Sequence, residues 1–405
     1  MRELVIVVSD LYFASDAAGG MSAEASAVTS LPGLARMARF GAASALPRGW
    51  RSWLAAWLGG PALAEVSAAA VAAAALLPGA AASEWVWLAD PVHLQAGLQS
   101  VHLAPQGLLR LDAPAQAQLA SAFNAEFAAT RFRLTPTRAG RFLAAGPAMP
   151  EAAARTDPAR WLGSSLAEAL APAGAPGALR RLGGEIETWL HEHPLNARRV
   201  REGKLPLSAL WLWGGGPPLE APMIVREARS AAAPGERAAP GSDERAVAGS
   251  EERATIAAGR HSTAFFGDDP FVEGLAHVLR ASCAPAARGL AAVMATAKGA
   301  AATTDATADA ATGIPPGAAA TTERAVVHIE LFSADAGSHG IPTSPLQALA
   351  AFDRDWIEPA LEQLDRRAIL RLAVMANDRQ LSLAARDSWK RWRRRRAALA
   401  ALSAP

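Results

Sequence analysis

Short apolar runs alternate with helix-like patterns along the chain. The four clearest runs are rich in Val, Ile and Leu, which is typical of buried strands, and they are residues 4–8, 207–213, 326–332 and 369–375. Helical spacing of apolar residues marks residues 30–40, 48–58, 114–129, 179–192 and 346–364. This alternation predicts an α/β protein whose central, largely parallel sheet contains all four runs and is flanked by helices.

Two segments interrupt this pattern. Residues 227–260 and 296–322 consist mainly of small and polar residues, with almost no large apolar side chain. Because such segments bury too little apolar surface to offset chain entropy, we predict two disordered insertions. They divide the rest into a first part of the core, 1–226, a helical segment that packs on it, 261–295, and a C-terminal part of the core, 323–405.

Composition narrows the cellular setting. The alanine-rich stretch 62–82 contains Glu65 and Pro78, which favours a packed helix over a membrane span. Cys283 is the single cysteine, so no internal disulfide can form, as suits a reducing compartment such as the cytoplasm. The formal net charge of +2 argues against a nucleic-acid-binding surface. A DNA-binding regulator is an alternative that rests only on the basic residues 390–396.

Acidic residues follow three of the predicted strands. They are Asp10, Asp335 and Asp378, and His339 comes four residues after Asp335. The ends of parallel strands meet at one edge of a sheet, so these four side chains can share a site. Carboxylates with an imidazole suit a divalent metal such as Mn²⁺ or Zn²⁺. Acids after strands also serve as helix caps, and the pattern alone leaves that role open.

The order of these motifs resembles that of the cofactor-independent phosphoglycerate mutases of the alkaline phosphatase superfamily. The segments that resemble the family's motifs are residues 29–34, 333–339, 352–359 and 372–378. Residues 193–216 are still more similar to a tryptophan-rich bacterial group of mutase-like or regulatory proteins. The resemblance implies an alkaline-phosphatase-like fold with metal ligands at Asp10, Asp335, His339 and Asp378.

The sequence also departs from the family, which uses a serine nucleophile and two metals. Arg379 stands where the family has a histidine, and no histidine follows His339. Ser52 is the nearest candidate nucleophile, but Trp53 stands where an acid is expected beside it. A cation at position 379 repels a second metal, so we expect one divalent metal or none. Arg379 is also a candidate to stabilise phosphoryl charge.

These departures favour a mutase-like protein with a degenerate metal site, which regulates or binds a phosphorylated ligand with little catalysis. The alternative is an active metal-dependent mutase or phosphohydrolase. Arg131, Arg133 and Arg141 flank a predicted strand pair and are candidate ligands for a phosphorylated small acid, although a solvated hairpin edge explains them equally. The tryptophans at positions 50, 53 and 57 share one helical face, which fits either a core or a ligand groove.

Overall fold

Two β-sheets organise the protein. The structure is a computed structural model, and it describes residues 1–11, 31–78, 84–97, 100–149, 156–166, 177–219, 263–297, 323–332, 345–376 and 378–387. Residues 227–260 and 298–322, which cover nearly all of the two predicted insertions, lie outside this described part. So do Asp335 and His339.

The first sheet has seven strands in the order β2-β12-β11-β1-β10-β8-β9. These strands are β1 Glu3–Val8, β2 Ala42–Ala45, β8 Thr263–Phe266, β9 Ser282–Ala284, β10 Arg324–Ile329, β11 Arg371–Ala376 and β12 Arg379–Ala384. The central strand β1 is fully apolar after its first residue and runs parallel to both neighbours, β10 and β11. Strands β8 and β9 continue the parallel half, whereas β12 and β2 are antiparallel, so this sheet is mixed rather than largely parallel.

The second sheet has five strands and is antiparallel throughout. They are β3 Glu84–Ala96, β4 Val101–Leu108, β5 Arg133–Pro136, β6 Phe142–Pro147 and β7 Ala209–Gly216. Here the prediction of one sheet was wrong, because the apolar run 207–213 forms β7 and pairs with β3. The run is continuously apolar because the strand is buried on both faces. A strand buried in either sheet has this pattern, so the pattern does not identify the strand with which it pairs.

Helices cover both sheets. They are α1 Pro32–Phe40, α2 Gly49–Gly59, α3 Pro61–Ala64, α4 Ala68–Leu76, α5 Ala113–Glu126, α6 Gly177–Glu192, α7 Pro194–Arg201, α8 Pro270–Val278, α9 at 290–297, α10 Pro345–Phe352 and α11 Glu358–Asp365. A π-helical turn, Asp353–Ile357, joins the last two. The predicted helical segment 261–295 thus contributes strands β8 and β9 to the mixed sheet as well as helix. None of the described helices is long and apolar enough to cross a bilayer.

The alanine-rich stretch forms α3 and α4, and α4 lies between the two cores. Its residues Ala69, Ala70, Ala72 and Ala73 belong to the apolar cluster around β3 and β7, whereas Val71 belongs to the cluster that contains α8. Small side chains let α4 approach both neighbours closely. The helix therefore connects the two halves of the molecule.

Two segments that are far apart in the sequence meet in space. The carboxylate of Asp353, in the π-helical turn, accepts hydrogen bonds from the backbone N–H groups of Gly33 at 3.0 Å and Leu34 at 2.7 Å, in the first turn of α1. Burial raises the pKa of Asp353 to about 6. The capping contact joins a helix near the start of the chain to one near its end.

Candidate functional site

A buried network of charged side chains joins the two sheets. The antiparallel sheet contributes Asp90 from β3, together with Arg110 and Arg141 from the segments that flank α5 and β6. The mixed sheet contributes Asp269, after β8, and His328 and Glu330, at the end of β10. All are buried except Glu330, whose side chain is 16% exposed. The carboxyl ends of β8 and β10 therefore face the second sheet across a layer of ion pairs.

Arg141 is at the centre of this network. Its Nη1 lies 3.3 Å from Asp269 Oδ2 and its Nε 3.3 Å from Asp90 Oδ1, while Nη2 donates to Glu330 Oε1. The side chain is only 4% exposed. Burial acts to lower the pKa of Arg141, but the neighbouring carboxylates of Asp90, Glu330 and Asp269 raise it more, so the guanidinium is charged.

Arg110 and Arg51 complete the cationic part. Arg110 holds Glu330 with two hydrogen bonds, from Nε at 2.7 Å and Nη2 at 2.8 Å, and reaches Asp90 through Nη1 at 3.2 Å. Arg51, in the first turn of α2, donates to Asp157 and to Asp269, the latter at 3.2 Å. Such paired, charge-assisted bonds fix the orientation of both partners.

The two carboxylate oxygens of Asp269 have different partners. It is the N-cap of α8, where Oδ1 accepts from the backbone N–H groups of Phe271 and Val272. Its Oδ2 faces Arg51 and Arg141. Although burial alone would raise the pKa of Asp269, the charges of Arg51, of His328 when it is protonated at low pH, and of Arg141 lower it to about 2. Burial would likewise raise the pKa of Glu330, and Arg110 and Arg141 hold it well below the ordinary range.

Asp269, His328 and Glu330 have the ligand types and the spacing of a metal site, because their ligand atoms all lie within 4.8 Å of one another. In the described part of the chain they are the one such group. They line a cleft of about 330 Å³, together with Arg110 and Arg138. The sequence prediction missed these three residues, since Asp269 has the pattern of an ordinary helix cap and His328 lies inside an apolar strand.

His328 also contacts a serine, but not as part of a proton relay. Its Nε2 lies 2.9 Å from Ser9 Oγ and 3.6 Å from Asp269 Oδ2. A relay needs the serine and the carboxylate on different ring nitrogens, whereas here both face the same one. Burial lowers the pKa of His328, which favours the neutral ring.

Asp10 and Asp378 are the two predicted metal ligands that lie in the described part of the chain. They follow β1 and β11, which are neighbouring parallel strands. Val7 of β1 pairs with Met375 of β11, three residues before Asp10 and Asp378 respectively, so both acids leave the same sheet edge. The carboxylate of Asp10 accepts from the backbone N–H groups of Leu331 at 2.8 Å and Phe332 at 2.6 Å. Burial and the charge of Glu330 raise the pKa of Asp10 to about 6. The four-residue metal site stays a prediction.

The predicted catalytic side chains have other partners. The hydroxyl of Ser52, in α2, donates to the carbonyl oxygen of Ala64 at 3.0 Å. Arg379 is the first residue of β12, where it pairs with Ala45 of β2, and it lines neither of the two clefts described in this section.

The three predicted phosphate-binding arginines, Arg131, Arg133 and Arg141, do not form one site. Arg141 is at the centre of the buried network. Arg131 is exposed, with a left-handed backbone, and Arg133 is paired with Glu84 on the surface. Neither Arg131 nor Arg133 lines either cleft.

A second cleft, of about 360 Å³, opens at the N-terminus of α2. No side chain caps the first turn of this helix, and Arg48, Arg51 and Arg160 all line the cleft. The guanidinium of Arg51 lies between the rings of Trp50 and Trp213, at 4.1 and 4.7 Å from their centroids. Arg160 pairs with Asp378 at 2.8 Å. Glu65 and Asp157 also line the cleft, where they pair with Arg48 and Arg51 respectively. The cleft thus combines ion-paired arginines with the positive end of a helix dipole.

Comparisons with known proteins give weak similarities. No protein-family model and no curated protein match the sequence. The solved structure of the PH0037 protein from Pyrococcus horikoshii has 12% identity and a TM-score of 0.41, over 95% of this chain and 87% of that one. A cofactor-independent phosphoglycerate mutase from Thermoplasma acidophilum DSM 1728 has 15% identity and a TM-score of 0.34, over 100% and 96%. Similarities of this size assign neither a family nor an activity to the chain.

Proposed function

We propose that this protein binds a small phosphorylated acid in the cleft at the start of α2 and transfers its phosphoryl group slowly or not at all. The observation that supports this function is the convergence of Arg48, Arg51 and Arg160 on the uncapped N-terminus of α2. A phosphate there competes with Glu65, Asp157 and Asp378, the carboxylate partners of these arginines. Helix N-termini bind phosphate through backbone N–H groups and the helix dipole, and arginine adds paired hydrogen bonds.

The size and walls of the cleft support a small ligand. A volume of about 360 Å³ is at the lower end of the range for ligand pockets. Trp50 and Trp213 provide apolar walls around the buried guanidinium of Arg51. Binding without turnover suits a regulatory protein that responds to a phosphorylated metabolite.

The contacts of Ser52 argue against seryl phosphoryl transfer. Such transfer needs a nucleophile activated by a base or a metal. The hydroxyl of Ser52 instead donates to a backbone carbonyl, and among the described residues no histidine or carboxylate bonds to it. Within the described residues, the candidate binding site therefore contains no base bonded to Ser52.

Calorimetric titration with 3-phosphoglycerate, and with glycerate as the unphosphorylated control, tests the binding. We expect 3-phosphoglycerate to bind and glycerate to bind at least tenfold more weakly, since the phosphate supplies most of the charge. Arg48→Gln should weaken binding about tenfold, because loss of one charged hydrogen bond removes about 1.5 kcal/mol or more. Arg131→Gln, at an exposed arginine outside the cleft, is the matched control and should bind as the unaltered protein does.

A coupled mutase assay with added Mn²⁺ tests the absence of turnover. We expect no activity above background in the unaltered protein. Equal binding of glycerate, or an unchanged affinity in Arg48→Gln, would contradict the proposed ligand site. Turnover that Ser52→Ala abolishes would contradict the non-catalytic part of the proposal.

A metal-dependent mutase or phosphohydrolase is the second candidate function. The proximity of Asp269, His328 and Glu330 is the observation that favours it, because two carboxylates and an imidazole form a plausible ligand set for Zn²⁺ or Mn²⁺. One equivalent of metal in the purified protein, lost in His328→Ala, would support this candidate.

A further inference from the structure

The hydrogen bonds of the Asp269–His328–Glu330 group leave little room for a metal ligand. Asp269 Oδ1 accepts two backbone N–H groups, and Oδ2 faces two arginines. In Glu330, Oε1 accepts from Arg110 and Arg141, and Oε2 accepts from Arg110. Because each carboxylate oxygen offers about two lone pairs, only one acceptor position remains unfilled on these two acids. His328 Nε2 is already bonded to Ser9.

Arg141 has the contacts that a bound cation would have. Each of its three guanidinium nitrogens faces a different carboxylate, Asp90, Asp269 or Glu330. One of these acids comes from the antiparallel sheet and two follow strands of the mixed sheet. The charge is buried and made permanent by the side chain itself, so it needs no ion from solution.

The net charge of the network becomes more negative when Arg141 is removed. The four carboxylates are those of Asp90, Asp157, Asp269 and Glu330, and the three guanidinium groups are those of Arg51, Arg110 and Arg141. With His328 neutral, this set carries one net negative charge. Without Arg141 it carries two, which is the charge that one divalent cation neutralises.

We propose that the guanidinium of Arg141 occupies the cation position of the Asp269–His328–Glu330 group. The unaltered protein then binds no metal there, and removal of Arg141 creates a site for one divalent cation of the Zn²⁺ or Mn²⁺ class. This inference does not depend on whether the cleft at α2 binds a phosphorylated acid, because the two sites are tested with different ligands.

The test compares thermal unfolding and metal content of the unaltered protein and Arg141→Ala, each with and without Zn²⁺ or Mn²⁺. The unaltered protein should retain no metal after dialysis, and its unfolding midpoint should not respond to these ions. Arg141→Ala should unfold at a lower temperature, bind one equivalent of metal, and recover on the order of 5 °C at a hundredfold excess over Kd. The double variant Arg141→Ala/His328→Ala should lose this recovery, and Arg133→Ala, at a surface ion pair, should behave as the unaltered protein does.

Two results would overturn the inference. One is a stoichiometric metal in the unaltered protein that His328→Ala removes, since the group would then be a metal site with arginines around it. The other is a folded Arg141→Ala protein that binds no metal. If Arg141→Ala is insoluble without and with Zn²⁺, Arg141→Met replaces it, because methionine fills more of the buried space and still removes the guanidinium; failure of Arg141→Met to bind metal then also overturns the inference.

Discussion

The pKa values of two buried acids, Asp10 and Asp269, are shifted in opposite directions by their surroundings. Asp269 faces two arginines, and its pKa falls to about 2, whereas burial and the negative charge of Glu330 raise the pKa of Asp10 to about 6. Both residues follow parallel strands of the same sheet, and both are buried. The difference comes from neighbouring charge rather than from burial, which acts in the same direction on each.

The lowered pKa of Asp269 predicts acid sensitivity. Because this pKa falls from an ordinary 3.8 to about 2 on folding, the ionised carboxylate stabilises the fold above about pH 4, and the stabilisation is lost as the pH falls towards 2. The contribution is about 2 kcal/mol. Urea unfolding from pH 2 to pH 5 measures it, and Asp269→Asn should show a shallower rise of unfolding free energy over this range.

The matched control for that experiment is Asp112→Asn. Asp112 caps α5 through Ala115 N–H at 2.8 Å, much as Asp269 caps α8, but within the described residues it forms no ion pair. It separates the loss of a helix cap from the loss of arginine contacts. A slope in Asp269→Asn equal to that of the unaltered protein would contradict the assignment.

Sequence could identify some of the site at the residue scale and not the rest. Arg141 was among the predicted anion-binding arginines, and the structure places it at the centre of the network rather than on an exposed hairpin. The partners of Arg141 could not be predicted, because Asp90 lies inside a strand and Asp269 is 128 residues away. Pairings between distant charged residues depend on how the two sheets pack, and no local pattern encodes that.

At the scale of elements, the contact between α4 and α8 depends on a glycine. A Cβ atom added to Gly274 would lie 2.0 Å from the carbonyl oxygen of Val71 and 2.6 Å from Ala72 Cα. These are backbone atoms, so relief of the clash requires the two helices to separate. The small side chains of the alanine-rich α4 likewise allow this helix to pack close to α8.

Gly274→Ala should therefore destabilise the protein, by about 2 kcal/mol or more, as overpacking of a core does. Gly184→Ala is the control, because Gly184 lies on an exposed part of α6 and an added Cβ meets nothing within 4 Å. That change should be neutral or stabilise by up to about 1 kcal/mol, through helix propensity. Chemical unfolding at neutral pH measures both, and equal effects would contradict the predicted close contact.

Periodicity predicted the elements better than their arrangement. The runs at 4–8, 326–332 and 369–375 all contribute strands to the mixed sheet, as expected. The run at 207–213 joins the other sheet, because an apolar strand between apolar layers has the same pattern in any buried sheet. Element type follows from side-chain spacing along the chain, whereas sheet membership follows from contacts across it.

At the scale of the molecule, two separate features connect the sheets. The buried arginine network spans them with ion pairs, and α4 packs on both apolar cores. Since both connections are buried, opening of one half exposes charge and apolar surface of the other. The two sheets should therefore unfold together.

Differential scanning calorimetry of the unaltered protein checks this coupling. We expect one heat-absorption peak whose calorimetric and van't Hoff enthalpies agree. Two resolved peaks would contradict the prediction, because they would show that the sheets are independent domains.

The position of β1 also has a consequence for synthesis of the chain on the ribosome. Its first residue, Glu3, pairs with Arg324 and Arg371, so the strand emerges more than 300 residues before its partners. At about 5–20 residues per second, this delay lasts on the order of 15–65 s. All strands of the antiparallel sheet lie within residues 84–216 and leave the ribosome during that time. This sheet is therefore complete before the mixed sheet, while the apolar strand β1 stays unpaired and needs protection from aggregation until β10 and β11 have been synthesised.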